Sequence, residues 1–321
     1  MANRHLFAWQ RSLSIALVLA VLGFVAGFGW RVDHSTNQKT VLPVSRGMQQ
    51  DKAGLETLKA KAVTVQQDAA HQKAIAKLAE QEKVKRLNAA LPVQFQGKTI
   101  REVKLKGKHN SKTQVKPTKA IAPSTSPKLI ALTFDDGPWP QTTSKVLEVL
   151  KKQNVKATFF VVGKQVEKHP QLVKQAVAEG HAIGNHSWSH QYHHYSSSAA
   201  AHELDKTAAL VHKLTGVKTS LFRPPAGILN NGLVASAHQK QYAVVMWSVD
   251  SKDWRSGRTT KQALVDNLLK EAKSGGIVLL HDGGGDRTKT IEALPQLITQ
   301  LKKHGYTFVT VPELLEKGSK D

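Results

Sequence analysis

Residues 129–138 read "LIALTFDDGP": six residues that are apolar except for Thr133, then two adjacent aspartates, then a Gly-Pro turn. The run is too short for an ordinary buried helix and ends at a turn signal, so it reads as a buried strand. Two ionised carboxylates side by side at a strand end repel each other. Asp135 and Asp136 therefore call for a cation nearby, or for separate tasks.

The same texture recurs down the chain. Short apolar runs at 157–162, 181–184, 220–223, 243–248, 276–281 and 307–311 follow the one at 129–134. Helical patterns at 142–153, 165–179, 198–214, 230–240, 260–273, 288–304 and 312–317 separate and follow them. Strands that alternate with helices imply a parallel sheet, and seven such units imply an α/β fold, most simply a distorted (β/α) barrel of about seven parallel strands. No GxGxxG follows the first strand and no phosphate-loop motif is present, which argues against a dinucleotide- or nucleotide-binding variant.

The preceding third of the chain differs. Residues 12–30, "SLSIALVLAVLGFVAGFGW", carry no charge and lie between Arg4 and Arg11 on one side and Arg31 on the other. A run of this length suits a bilayer span, and its arginines favour a cytoplasmic start. Residues 1–31 thus read as an n-region with an uncleaved signal-anchor, and the remainder as extracellular; secretion after signal cleavage is the alternative. Residues 32–96 read as a helical stalk, because 49–90 are rich in Ala, Lys, Gln, Glu and Leu with no Pro. Leu55, Leu58, Ala62, Val65 and Ala69 follow heptad-like spacing, which would give weak self-association through the stalk; a solvated single helix is the plainer reading. Residues 97–127 read as a basic linker with Pro117, Pro123 and Pro127, a short strand pair within 91–107 being the alternative there, and the strand–helix domain occupies 128–321.

Lys and Arg outnumber Asp and Glu by 22 to 7 in the first 128 residues but only by 24 to 17 beyond. The excess sits on the tether, without a nucleic-acid-binding motif or interleaved aromatics, so no nucleic-acid partner is expected. A tether near an anionic surface accounts for it. Cysteine is absent. Any metal must then be held by His, Asp or Glu.

Polar residues cluster just after the apolar runs: Asp135 and Asp136, His186 and His190, Arg223, Asp250 with Asp253 and Trp254, and His281 with Asp282. In a β/α barrel these strand ends converge on one face, where active sites are built. His-x-x-x-His places two imidazoles on one side of a helical turn, within reach of one metal. One carboxylate from another strand end would complete a three-ligand set with open positions, the catalytic pattern. Nitrogen and oxygen donors suit zinc (Zn2+) and also admit Co2+, Ni2+ or Mn2+. His181 reads as part of strand hydrogen bonding, and His193 and His194 as solvent-facing loop residues.

"TFDDGP" (133–138), "HSWSH" (186–190), "RPPAG" (223–227), "DSKDW" (250–254) and "LLHD" (279–282) occur in the order and approximate spacing of the polysaccharide deacetylases. The chain resembles that carbohydrate esterase family over about residues 129–315. The resemblance implies a distorted (β/α) barrel, with Asp136, His186 and His190 as metal ligands. It implies Asp135 as general base, His281 as general acid and Asp253 as the group that orients His281. Arg223 would hold Asp135 in place, with Asp250 in the same network. The Ala226 backbone N–H would stabilise the oxyanion, and Trp254 and Leu279 would line the acetyl pocket. Two departures stand out: the position of Ala226 is usually aromatic, and Asp136 is kept where some relatives that act on muramic acid carry Asn. With the outward anchor, the resemblance points to a metal-dependent deacetylase acting on N-acetylglucosamine of peptidoglycan. Alternatives are muramic acid, exported polysaccharide, chitin-like oligomers or xylan. A wall-binding module without catalysis is the alternative from another class, and the full set of Asp135, Asp136, His186, His190 and His281 argues against it.

Overall fold

A computed structural model describes residues 47–88, 90–105, 128–255 and 260–319. Among these, no helix is long and apolar enough to cross a membrane; the span read at 12–30 lies outside them, as does the linker from 106 to 127. The chain divides into two units, Met1–Asp68 and Ala69–Asp321. The described part of the first is helical, within α1 (Gly47–Leu87). Leu58, Val63, Val65, Ile75 and Leu78 of this helix are exposed.

Among its described residues the second unit carries nine strands, all paired in parallel. In chain order they are β1 (Thr99–Ile100), β2 (Lys128–Asp135), β3 (Thr158–Val161), β4 (Ala182–Asn185), β5 (Leu221–Phe222), β6 (Ala243–Val245), β7 (Val249–Asp250), β8 (Gly276–His281) and β9 (Tyr306–Phe308). The spatial order is β1-β6-β5-β4-β3-β2-β8-β7, with β9 joined to the start of β2. Helices α2 (Thr143–Lys152), α3 (Gly163–Lys168), α4 (Pro170–Ala178), α5 (Ser197–Thr215), α6 (Leu233–Gln239), α7 (Lys261–Glu271), α8 (Thr288–Lys303) and α9 (Val311–Ser319) fill the connections.

The period of two along β2 decides what faces where. Ile130, Leu132 and Phe134 pack into one core with Leu147, Leu264, Leu297 and Ile298 of the helices. Leu129 and Ala131 face a second core with Phe160, Leu221, Val245 and Ile277, closed by Val311, Leu314 and Leu315 of α9. Thr133 and Asp135 share this second face by the same alternation. The register pairs Asp135 with His281 on one side and Phe160 on the other, so the base and acid expected from the sequence come from neighbouring strand ends.

Three sequence expectations need correction. The linker assigned to 97–127 begins inside the sheet. Val244 N–H donates to Lys98 C=O, Met246 N–H to Ile100 C=O, and Val103 N–H to Gly275 C=O. Segment 98–103 thus joins β6 to the start of β8, where Glu102 bridges Gly276, and buries Ile100 and Val103. Its six residues carry only two apolar side chains, Ile100 and Val103, among Lys98, Arg101 and Glu102. The helix read over 165–179 is two, because Pro170 lacks the N–H that an unbroken helix needs and instead starts α4. The strand read over 243–248 stops at Val245, and Val249–Asp250 pairs separately with β8, with no helix in between.

Gly275 shows how tight this seam is. Its φ is +81°, and a Cβ there would lie 1.8 Å from the Val103 carbonyl oxygen. Gly275→Ala is expected to cost about 3 kcal/mol, lowering Tm by roughly 6–12 °C. Thermal unfolding checks this, and an unchanged Tm would show that segment 98–103 contributes nothing to stability.

Candidate active site

The site lies at the C-terminal ends of β2, β4, β5, β7 and β8, around a cavity of about 360 Å3. Asp135 is buried and meets Arg223, whose Nη1 donates to Asp135 Oδ1 at 2.8 Å and to Thr133 Oγ1 at 2.7 Å. The same guanidinium is fully buried and donates through Nε to Val245 C=O and through Nη2 to Met246 C=O. One planar fork therefore ties β5, β6 and β2 together beneath the cavity. Asp250 is not among these partners: its carboxylate accepts from Lys252 N–H and its own N–H goes to Glu271. Asp250 lines the cavity, but it shapes its own turn rather than joining the Arg223 network.

Asp136 leaves the strand with φ +75°, which turns its side chain away from that of Asp135. Its Oδ1 lies 3.0 Å from His190 Nε2 and 3.4 Å from His186 Nε2. Burial would raise the Asp136 carboxyl, yet the hydrogen bonds and positive charge of His186 and His190 outweigh it and hold the group well below the usual carboxylate range. The two histidines do not sit on a helical turn, as their spacing suggests. They occupy a loop in which Ser187 and His190 both have positive φ. Asn185 Oδ1 accepts from Ser187 N–H, Ser187 Oγ accepts from His190 N–H, and the buried Glu203 carboxylate of α5 accepts from Trp188 and Ser189 N–H. Lys206 Nζ sits 3.7 Å above the Trp188 ring. The loop is thus shaped by its own hydrogen bonds and by the Glu203 carboxylate of α5.

Donor atoms of Asp136, His186 and His190 all lie within 4.8 Å of one another. His186 Nδ1–H donates to the Arg223 carbonyl at 2.7 Å, which fixes the tautomer and leaves the Nε2 lone pair facing Asp136 and His190. Gly284 closes over the cluster; a Cβ there would meet Asp136 Oδ2 at 2.4 Å. Two imidazoles and one carboxylate converging in this way fit a divalent cation with room for further ligands.

Opposite them, His281 Nδ1–H donates to Asp253 Oδ1 at 2.6 Å, and its backbone N–H to Asp253 Oδ2 at 2.9 Å. Burial would lower His281, but the hydrogen bond and charge of Asp253, helped by Asp135 and Asp136, raise it above the ordinary imidazole value. Asp253 correspondingly falls, because its pairing with His281 outweighs burial. Its neighbour Asp282 behaves differently. Burial pushes Asp282 up to about 7, and its Oδ2 accepts from Thr143 Oγ1 at 2.5 Å.

Leu279 forms a buried part of the cavity wall, and Trp254, half-exposed, another. Ala226 lines it from a turn with φ +52°. Trp247, Tyr192 and Arg287 also line it, and sequence reasoning missed all three. Trp247 had a usable signal, lying three residues before Asp250; Tyr192 and Arg287 lie in loop and helix-start positions without one. His181 is buried and accepts from Ala157 N–H at 3.1 Å, and burial pushes it down to about 3. A larger cavity, about 520 Å3, opens at the other ends of the strands among Lys156, Lys218 and Leu221 and contains none of these groups.

Residues 122–245 match the polysaccharide deacetylase family. A peptidoglycan-N-acetylglucosamine deacetylase of Bacillus cereus is 43% identical over 190 residues, covering 59% of this chain and 88% of that protein. The peptidoglycan-N-acetylmuramic acid deacetylase PdaA of Bacillus subtilis is 40% identical over 195 residues, covering 60% of this chain and 73% of the relative. A solved structure of the Bc1960 peptidoglycan N-acetylglucosamine deacetylase superposes with a TM-score of 0.59 at 32% identity, over 70% of this chain and 95% of that one.

Proposed function

The chain belongs to the polysaccharide deacetylase family, and we propose that it hydrolyses N-acetyl groups from N-acetylglucosamine residues of peptidoglycan, releasing acetate. The observation that carries the reading is the meeting, in one cavity, of the Asp136–His186–His190 cluster with the Asp135–Arg223 and His281–Asp253 pairs. Asp136, His186 and His190 would hold the divalent metal. When bound, it would acidify a water and polarise the acetyl carbonyl. Two imidazoles and one carboxylate suit Zn2+ and also admit Co2+, Ni2+ or Mn2+.

Asp135 takes the proton of the attacking water, and Arg223 keeps its carboxylate aimed into the cavity. The carbonyl oxygen gains negative charge as the water adds, and the backbone N–H of Ala226, a residue of the cavity wall, would receive it. The acetyl methyl lies against Leu279 and Trp254. Amide cleavage fails unless the departing nitrogen is protonated, and His281 supplies that proton from Nε2 while Asp253 holds Nδ1–H. The raised imidazole stays protonated into the neutral range, as an acid requires. The uncharged run at 12–30 with its flanking arginines supports a single-pass membrane anchor with this domain outside the cell.

The purified full chain loaded with Zn2+ or Co2+ is expected to release acetate from N-acetylated peptidoglycan and leave free-amine glucosamine. Chelation stops the release and metal return restores it. Absence of acetate at every metal loading sinks the enzymatic reading, and free-amine muramic acid in place of glucosamine reassigns the sugar.

A further inference from the structure

Two residues outside every sequence motif hold the Asp253–His281 pair. Both belong to the start of α8, where Asp286 Oδ1 accepts from Thr288 N–H and Oγ1 and so fixes the first turn. Thr290 is buried, and its hydroxyl donates to Asp253 Oδ2 at 2.9 Å. Arg287, also buried, donates from Nη1 to the Asp253 carbonyl at 3.0 Å, from Nε to Gly283 C=O at 2.7 Å and from Nη2 to Gly284 C=O at 3.3 Å.

This arrangement is more than a helix start needs. Asp253 sits on the loop after β7, and a carboxylate on a loop does not stay within hydrogen-bond distance of an imidazole unaided. Its two oxygens take three donors, two from His281 and one from Thr290. Arg287 fastens the loop's backbone to the Gly283–Gly284 turn, which also packs over Asp136. A planar guanidinium spreads its donors over a fixed fork, so one side chain meets three separated carbonyls. The first turn of α8 therefore links the loop bearing the acid's partner to the turn covering the metal-ligand cluster.

We propose that Arg287 and Thr290 are positioning residues for the proton donor: they hold Asp253 so that it fixes the Nδ1–H tautomer of His281 and sets how firmly the imidazole keeps its proton. The proposal rests on the reading of His281 as the general acid.

The sign follows from the charges around His281. Asp253 faces it from the β7 loop, Asp135 and Asp136 from the end of β2 and Asp282 from its own strand end, while Arg287, at the start of α8, acts on Asp253. The carboxylates favour imidazolium. The Thr290 hydroxyl and the Arg287 cation draw charge from Asp253 and moderate that preference. With Arg287 still fastening the Asp253 loop, removing the Thr290 hydroxyl leaves Asp253 to bind imidazolium more strongly, so the proton is held more tightly and given up less readily. The alkaline limb of the rate profile then moves to higher pH while the maximal rate falls.

The test uses the full chain with isotope-labelled histidine, in which the His281 titration is followed by NMR alongside turnover. Thr290→Val removes the donor with little change in shape; it is expected to raise the His281 midpoint by about 0.5–1 pH unit. The same variant should lower kcat roughly tenfold with KM within about twofold. Thr290→Ser restores midpoint and rate. Arg287→Gln, which frees the loop that carries Asp253, is expected to lower the midpoint and the rate, and serves if Thr290→Val fails to fold. An unmoved midpoint in a folded variant overturns the proposal, as does a rate loss in Thr290→Val that Thr290→Ser fails to recover. The midpoint is read whether or not acetate is released, so failure of the enzymatic reading is told apart from failure of this one.

Discussion

Arg223→Met is expected to lower the unfolding free energy by about 3–5 kcal/mol, the largest stability loss of any single change at this site. The guanidinium is fully buried and has four hydrogen-bond acceptors: Asp135, Thr133, and the carbonyls of Val245 and Met246. Methionine fills the volume but donates to none of them. The carboxylate of Asp135 would remain buried beside apolar atoms, and that uncompensated charge dominates the cost. Arg223→Lys should recover little, because an ammonium is a point donor and cannot span three strands at once. Pairing the change with Asp135→Asn should return part of the loss, since a neutral amide is far cheaper to bury alone. Denaturant unfolding of the four proteins of this cycle gives the coupling directly. A loss under about 1 kcal/mol for Arg223→Met would mean that the pair is solvated after all. The backbone carbonyl of Arg223 still receives His186 Nδ1–H, so metal uptake should survive in whatever fraction stays folded.

That network marks the boundary of what the sequence makes legible. The strands β2 and β8 are visible because each is a nearly unbroken apolar run, and their ends carry Asp135, Asp136 and His281 in plain view. Alternation along β2 even puts Thr133 and Asp135 on one face with no structural knowledge. The partners of these groups are another matter. Glu203 lies on α5, 14 residues after Ser189, and nothing in its own neighbourhood marks it as the acceptor that shapes the histidine loop. Asp250 shows the opposite error: a carboxylate in a motif looks like a member of the charge network, yet it caps its local turn. The edge segment 98–103 was legible as a short strand within 91–107, but its partners were not, for a third reason. Its stabilisation comes from pairing with β6 and β8, which are far away in sequence, while its own composition is that of a solvated tether. Pro170, by contrast, was an available signal for the break between α3 and α4.

Asp135→Asn is expected to reduce kcat/KM by about a thousandfold while leaving metal content within about twofold of the unchanged protein. The argument is geometric. Asp135 ends β2 on the inner face, aimed at Arg223, with its nearer approach to the cluster only 3.9 Å from His186 Nε2. Asp136 turns out of the strand at φ +75° and meets both His186 and His190. Asparagine at 135 keeps the oxygen that accepts from Arg223 and loses the basicity needed to take a proton from water. Asp136→Asn should do the reverse, because the lost charge is the one that neutralises the cation, and metal content should drop along with activity. Metal analysis of the two purified variants after dialysis separates the roles. If Asp135→Asn empties the site as thoroughly as Asp136→Asn, the neighbours share one task. If it keeps both metal and turnover, the base lies elsewhere. The repulsion that makes "TFDDGP" look costly is resolved only if each carboxylate has its own cation, Arg223 for one and the metal for the other, and the two variants read those two pairings one at a time.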